Sequence, residues 1–346
     1  MNPVDEIETS PEPIAANVCR NCQDALLVME GKVPLCHACR SQFINYPIPK
    51  WIKAFGAGIL ILLVFSLVSL PRQISTGVHL QKGIKAATKK HYSTAEKELQ
   101  LVVNHAPHYT EAQCRLLIAA YFNGDFEKVI STYKNVENEE VKDEDLFKDV
   151  TDVLKRMGTL VPTDSFTVIL DKKPQGLTET DYKDYFDRNA HDAYALTSYA
   201  TLLFDQKNFA VTDSVLNVIL KDNPFHYSAL AMKIPLKRDQ LQFDSSYYFI
   251  NQLLALNRED AFALASKART LLKQHKDGEA FDMASQSIEV SPTSAYGLAT
   301  MALIYHYRND IPKRDALMAR AQKDSSLMES FDYVSNIVSG KEKFRD

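Results

Sequence analysis

The feature that most constrains this chain is a repeat with a period of about 34 residues, which starts near residue 76. Small or apolar residues recur at this spacing in two runs, Gly83 and Leu117, then Ala200, Ile234, Ala268 and Ala302. Repeats of this length are typical of stacked helix–turn–helix units, each of which buries its apolar face against its neighbours. The spacing therefore predicts a helical solenoid over residues 76–340.

The apolar residues within a repeat have the spacing of two amphipathic helices packed face to face. One unit shows this spacing as Leu196, Ala200, Leu203, Phe209, Leu216, Ile219 and Pro224. The chain has only 11 Gly and 14 Pro in 346 residues, which is little turn chemistry for a many-stranded sandwich or barrel. The predicted fold class is therefore all-α.

The pattern resembles the tetratricopeptide (TPR) repeat family, whose units have small residues at close helix contacts and a proline near the end of the second helix. Pro107, Pro224 and Pro292 stand at such positions. The resemblance implies a TPR-like α-solenoid of about seven helix pairs. The chain departs from the family pattern at Asp277, where an aromatic residue is common.

The repeat is interrupted in the middle of the chain. The separation of Leu117 from Ala200 is not a whole number of repeat periods. An irregular section is therefore expected near 140–192, with helices near 143–157 and 178–189.

The resemblance also implies a concave groove lined by the first helix of each pair. Aromatic and histidine residues fall on the matching positions, namely Tyr121, Phe122, Tyr194, Phe204, Phe262, Tyr296, His306 and Tyr307. Aromatic side chains are enriched at binding hot spots, so these residues are candidates for capturing a peptide or partner helix. The alternative is that several of them fill the core between repeats.

Four of the five cysteines form two close pairs near the N-terminus, Cys19 with Cys22 and Cys36 with Cys39. Two C-x2-C pairs at this separation can place four thiolates tetrahedrally around Zn²⁺. A two-disulfide framework is the alternative, but close C-x2-C pairs suit metal or redox sites better. Because four protein ligands leave no open position, the predicted zinc is structural. The segment resembles zinc-ribbon or related knuckle domains.

An uncharged stretch at 54–70 follows the cysteines and predicts a transmembrane helix at 51–71, with a buried core helix as the alternative. Basic residues near this stretch favour a cytoplasmic C-terminal side. Zinc thiolates favour a cytoplasmic N-terminus instead. We give the zinc argument more weight and expect a single-pass membrane protein with an extracytoplasmic solenoid.

The remaining boundaries complete the expected organisation. Residues 1–16 are expected to be disordered, 17–46 to form the zinc module, and 341–346 to form a charged tail. An amphipathic stretch at 327–338 is expected to cap the open end of the solenoid.

The charge balance and the motifs restrict the function. The net charge of -4 gives no general attraction for nucleic acid, and the chain lacks phosphate-loop, nucleophile-elbow and zinc-protease motifs. We therefore expect no enzymatic activity and predict a membrane-anchored scaffold that binds a partner protein or peptide. The alternative is a transmembrane sensor that couples solenoid binding to the zinc module.

Overall fold

The computed structural model describes residues 18–24, 33–44 and 48–345, without the side chains of residues 44 and 67–72. The predicted disordered N-terminus therefore lies outside the described residues. The chain divides into two compact units, Met1–Arg72 and Gln73–Asp346.

Helices dominate the described residues, which confirms the predicted all-α class. They are α1 (His37–Ile44), α2 (Lys50–Thr88), α3 (Tyr92–His105), α4 (Thr110–Phe122), α5 (Phe126–Val136), α6 (Glu144–Met157), α7 (Asp164–Lys172), α8 (Glu179–Phe186), α9 (Ala193–Asp205), α10 (Phe209–Asp222), α11 (Tyr227–Asp239), α12 (Phe243–Leu256), α13 (Ala261–Lys273), α14 (Asp277–Val290), α15 (Ala295–Tyr307), α16 (Ile311–Ala321) and α17 (Ser325–Val338).

The predicted membrane span at 51–71 falls in α2. None of the described helices has both the length and the apolar character needed to cross a bilayer. This finding contradicts the predicted transmembrane helix and the predicted single-pass localisation with an extracytoplasmic solenoid.

The repeat period is visible directly in the helix boundaries. The first helices of four successive pairs, α9, α11, α13 and α15, start at Ala193, Tyr227, Ala261 and Ala295. Their partners, α10, α12, α14 and α16, start at Phe209, Phe243, Asp277 and Ile311. The interval is constant and equal in both series, so one helix–turn–helix unit is repeated without insertion from α9 to α16.

Each turn inside a pair has the same backbone conformation. Residues with positive φ recur at the same repeat position: Lys90, Gly124, Lys207, Leu241, His275 and Asn309. The next N–H donates to the carbonyl five residues earlier, as from Lys276 to Leu271 at 3.0 Å. This 6→1 bond is the Schellman motif, which ends a helix on one left-handed residue.

The turns between pairs are fixed by side-chain caps. Asp192, His226, Asp260 and Ser294 occupy the same position in successive repeats, and each accepts a hydrogen bond from a backbone N–H in the first turn of its helix. These caps satisfy amides that have no partner inside the helix. The starts of the first helices are therefore set locally in these four repeats, whereas Tyr109 before α4 makes no side-chain cap.

The first helices of neighbouring pairs lie closer together than the second helices. Contacts join α11 with α13, α13 with α15, and α15 with α17, whereas among the described helices α12 and α14 are not similarly joined. The first helices therefore form the inner, concave side of this part of the solenoid.

The irregular section contains the two predicted helices as α6 and α8. It also contains α7, which the sequence argument missed, and a 3₁₀ turn at Gly158–Leu160. Beyond this section the chain returns toward its first repeat. The Tyr92 amide donates to the Asn257 side chain at 3.2 Å, and the Thr94 amide donates to Glu259 at 2.8 Å.

Candidate functional site

The four N-terminal cysteines converge on one point. Their sulfur atoms all lie within 4.8 Å of one another, and those of Cys22 and Cys36 are 3.6 Å apart. Four sulfurs placed tetrahedrally at about 2.3 Å from a zinc ion would be separated by about 3.8 Å. All four cysteines are free thiols, so this cluster could bind a metal ion.

Hydrogen bonds from neighbouring groups orient the sulfurs. The backbone N–H of Cys36 donates to the Cys19 sulfur at 3.2 Å, and the Asn21 side chain donates to the Cys39 sulfur at 3.4 Å. Backbone hydrogen bonds from Cys22 and Cys36 lower the pKa of Cys19 to about 6. Despite a backbone hydrogen bond from Asp24, contacts with Cys19 and Cys36 raise the pKa of Cys22 to about 12. Despite the Asn21 hydrogen bond, Cys36 raises the pKa of Cys39. The thiolate form that a metal requires is therefore favoured at Cys19, and the hydrogen bonds fix the direction of the ligands.

The predicted groove residues fall into separate clusters. In the N-terminal pairs, Tyr121 is 8% exposed and lies in the core, and the Phe122 ring stacks on Tyr92 with centroids 4.6 Å apart. In the middle of the chain, Tyr194 packs against the buried Phe166. All three make contacts within hydrophobic core clusters, and their role in binding a partner stays a prediction.

Phe204 also packs locally, because its ring centroid lies 5.6 Å from that of Phe209 in the same helix pair. His306 and Tyr307 make an edge-to-face contact at 5.1 Å. His306 also lies 3.3 Å from the Arg314 guanidinium, and burial together with Arg314 lowers the pKa of His306. At neutral pH this imidazole is therefore uncharged.

The C-terminal pairs bring two predicted residues together with an arginine. The rings of Phe262 and Tyr296 have centroids 4.8 Å apart, and the Arg269 guanidinium lies 3.9 Å from the Tyr296 centroid. The Arg269 Nε–H donates to Thr300 at 2.8 Å. Burial raises the pKa of Tyr296, but Arg269 and Arg238 outweigh it, so the net shift is downward. A stacked guanidinium of this kind keeps its edge available for planar acceptors.

A second arginine adds to this site from the preceding repeat. Arg238 is 3% exposed and Arg269 is 5% exposed. Arg238 Nε donates to Asp239 at 2.8 Å. Among the described residues, the buried side-chain atoms without a hydrogen-bond partner are the donors Arg238 Nη1 and Arg269 Nη2 and the acceptor Gln240 Oε1. Each of the two buried guanidinium groups thus keeps one donor that the fold does not satisfy.

Sequence reasoning missed these basic residues, together with Lys273, because it scored only aromatic side chains on the inner helices. The signal that was missed is their position in the repeat. With Ile234 and Ala268 counted as position 8, Arg269 occupies position 9, Arg238 position 12 and Lys273 position 13. The groove positions of the family pattern include all three.

No family model matches this chain, and no curated protein matches it. Three solved structures align with it over most of their length. A structure concerned with pilF of Pseudomonas aeruginosa is 12% identical, covers 77% of this chain and 99% of that chain, and has a TM-score of 0.33.

A tetratricopeptide repeat protein from Parabacteroides merdae is 14% identical over 75% of this chain and 98% of that chain, with a TM-score of 0.40. The TPR domain of P58(IPK) is 14% identical over 84% of this chain and 97% of that chain, with a TM-score of 0.23. All three TM-scores are below 0.5, so the description of the fold rests on the helix pairs of this chain.

Proposed function

We propose that the chain is a protein–protein interaction scaffold that holds an extended segment of a partner along the inner faces of α11, α13 and α15. The observation that carries this proposal is the pair of buried donors on Arg238 and Arg269. A buried donor without an acceptor costs about 1–3 kcal/mol. Both atoms are covered in the structure, so a partner would recover that free energy by displacing the covering groups and supplying carbonyl or carboxylate oxygens.

The surroundings of the arginines support the same proposal. Phe262 and Tyr296 provide flat apolar surface beside the guanidinium groups, and aromatic residues with arginine are the types enriched at binding hot spots. The TPR-like repeat pattern is consistent with this use, because helical solenoids present extended concave surfaces for binding.

We also propose that Cys19, Cys22, Cys36 and Cys39 hold one structural zinc ion. The support is the convergence of four sulfurs at distances that fit a tetrahedral site. Zinc with four thiolate ligands has no open coordination position, so its role would be to stabilise the fold of this short segment.

The binding proposal can be tested with a random peptide library selected on the full chain. Peptides recovered by selection are measured by fluorescence anisotropy against the wild type and Arg269→Lys. The lysine keeps the charge but loses the planar fork, so we expect affinity to fall at least about tenfold. Arg320→Met removes an exposed arginine from α16 and is expected to leave affinity unchanged.

The proposal fails if no library peptide binds, or if the recovered peptides bind Arg269→Lys as tightly as the wild type. Circular dichroism and thermal unfolding of both variants show whether a loss of binding reflects a loss of fold. A transmembrane sensor would need a membrane span, and none of the described helices could form one. The expectations that the chain has no enzymatic activity and binds no nucleic acid remain predictions.

A further inference from the structure

The last residues of the chain turn back over the concave side. After α17, the N–H groups of Lys341 and Glu342 both donate to the Asn336 carbonyl, at 2.8 and 3.1 Å. Phe344 is then only 1% exposed. The segment predicted to be a solvated charged tail therefore places its one aromatic side chain inside the fold.

The surroundings of Phe344 come from the inner helices. The Lys273 ammonium lies 5.4 Å from the Phe344 ring centroid and donates a hydrogen bond to the Phe344 carbonyl. The Arg238 guanidinium lies 5.6 Å from the same centroid. The Tyr307 ring lies 6.2 Å away. One side chain from each of α11, α13 and α15 thus surrounds the ring, and two of the three are cationic.

The next residue is held by three different kinds of contact. Arg345 Nη1 donates to the Leu272 carbonyl at 2.9 Å, and Arg345 Nη2 donates to Asp277 at 3.0 Å. The Arg345 guanidinium also lies 4.1 Å from the Tyr307 ring centroid. The hydrogen bond from Arg345 lowers the pKa of Asp277, so this carboxylate is ionised at neutral pH. Together these contacts define a site for a planar cation.

The sequence departs from its own repeat at the residue that binds Arg345. Asp277 is the first residue of α14, and the equivalent residues of α3, α5, α10 and α12 are all aromatic: Tyr92, Phe126, Phe209 and Phe243. An acidic residue therefore replaces an aromatic one in the repeat whose turn meets the tail. The exchange gives this repeat the charge that is complementary to a guanidinium.

Resting on the scaffold function proposed above, we infer that Arg238, Lys273, Asp277 and Tyr307 form a docking site for a partner segment in which an aromatic residue is followed by arginine. Residues 341–345 fill this site in cis, so a partner segment has to displace the tail. The occupant seen in the structure defines the chemistry: Lys273 and Arg238 face the ring, while Asp277 and Tyr307 hold the guanidinium.

The probe is a labelled synthetic peptide with the sequence of residues 341–346, titrated into the full chain. A tethered segment acts at an effective concentration in the millimolar range, so the wild type should bind the free peptide weakly. The variant with Phe344→Ala and Arg345→Ala opens the site. We expect it to bind the peptide at least about tenfold more tightly than the wild type.

A matched control changes the same tail without opening the site. Lys341 and Lys343 are exposed, so Lys341→Ala with Lys343→Ala should bind the peptide as weakly as the wild type. Direct contact is tested in the opened variant by Asp277→Arg, which should reduce binding of the peptide at least about tenfold. The same change should favour a peptide with glutamate in place of its arginine.

Several outcomes would overturn the inference. The opened variant could bind no better than the wild type, or Asp277→Arg could have no effect. Light scattering could instead show a wild-type dimer that Phe344→Ala converts to a monomer, which would make a second copy the occupant. If the double variant loses helical content, Arg345→Glu alone replaces it. The glutamate repels Asp277 and should open the site, so its affinity for the free peptide is compared with that of the wild type.

The inference and the scaffold function fail separately. Library peptides that depend on Arg269 while the tail peptide never binds would leave the scaffold function standing and overturn this inference. If neither kind of peptide binds to any variant, both are overturned.

Discussion

The cysteine module and the helical repeats of this chain are stabilised by different means. In the module, Cys19 and Cys39 are the buried hydrophobic residues among those described, and a segment as short as 17–46 cannot build a stable core alone. In the repeats, apolar residues form successive clusters from Ala86 to Phe344. The module should therefore depend on a metal ion, whereas the repeats should depend on packing.

Removal of the metal ion should give the largest difference between the cysteine module and the repeats. We expect about one zinc ion per full chain by elemental analysis and none after Cys36→Ser with Cys39→Ser. Chelation should abolish protection from hydrogen exchange at 18–24 and 33–44, because a site of this kind supplies most of the folding free energy of a small domain. Protection from α9 to α16 should not change. Retained protection at 18–24 and 33–44 after complete zinc removal would contradict a structural role for the metal.

A core substitution in the repeats should give the converse result. Ile234 is fully buried between α11 and α12, so Ile234→Ala should lower the free energy of unfolding by about 2–5 kcal/mol in urea titrations. Ile130→Ala is the matched control because Ile130 is 45% exposed, and its effect should stay below about 0.5 kcal/mol. Zinc content should be the same in both variants. A similar loss of stability in the two variants would show that burial does not determine stability in the repeats.

Part of each region could be predicted from its sequence. The cysteine cluster was predictable, because four cysteines at fixed spacing have few other uses. The regular repeats were predictable too, since the Schellman turns and the side-chain caps recur from α9 to α16 and need only local contacts. The helix α7 was missed because it is short and contributes one buried residue, Phe166, to a core made largely by other segments.

The basic side of the groove and the buried tail were missed for a different reason. Arg238 and Lys273 are unremarkable as local sequence, and the departure from the repeat at Asp277 gains meaning only when three repeats and the C-terminus meet. The span at 51–71 was wrong because an apolar run was treated as sufficient for a membrane helix. Local periodicity thus predicts elements, whereas sites made by distant segments need the tertiary structure.

Within the repeats, one pair of capping residues offers the most precise test of packing. His226 and Asp260 occupy the same position in successive repeats, and both are buried. Burial lowers the pKa of His226, whose Nδ1 accepts from the Ala229 amide at 3.3 Å. Burial raises the pKa of Asp260 to about 6, although Asp260 accepts from the Ala263 amide at 2.8 Å.

The two shifts have opposite consequences for stability. A histidine with a lowered pKa contributes stability above its unfolded value, which is lost as the pH falls below about 6.5. A carboxyl with a raised pKa contributes stability below about pH 4, which is lost as the pH rises through about 6. His226→Asn and Asp260→Asn each keep a capping side chain but remove one of these titrations.

Urea titrations between pH 4 and 7.5 should therefore separate the two variants. Asp260→Asn should gain up to about 3 kcal/mol relative to the wild type as the pH rises over this range, because one pKa unit corresponds to about 1.4 kcal/mol. His226→Asn should instead gain relative to the wild type as the pH falls. Parallel curves for the wild type and both variants would mean that these caps are hydrated. In that case the edges of the repeats, unlike their cores, would not be stabilised by burial.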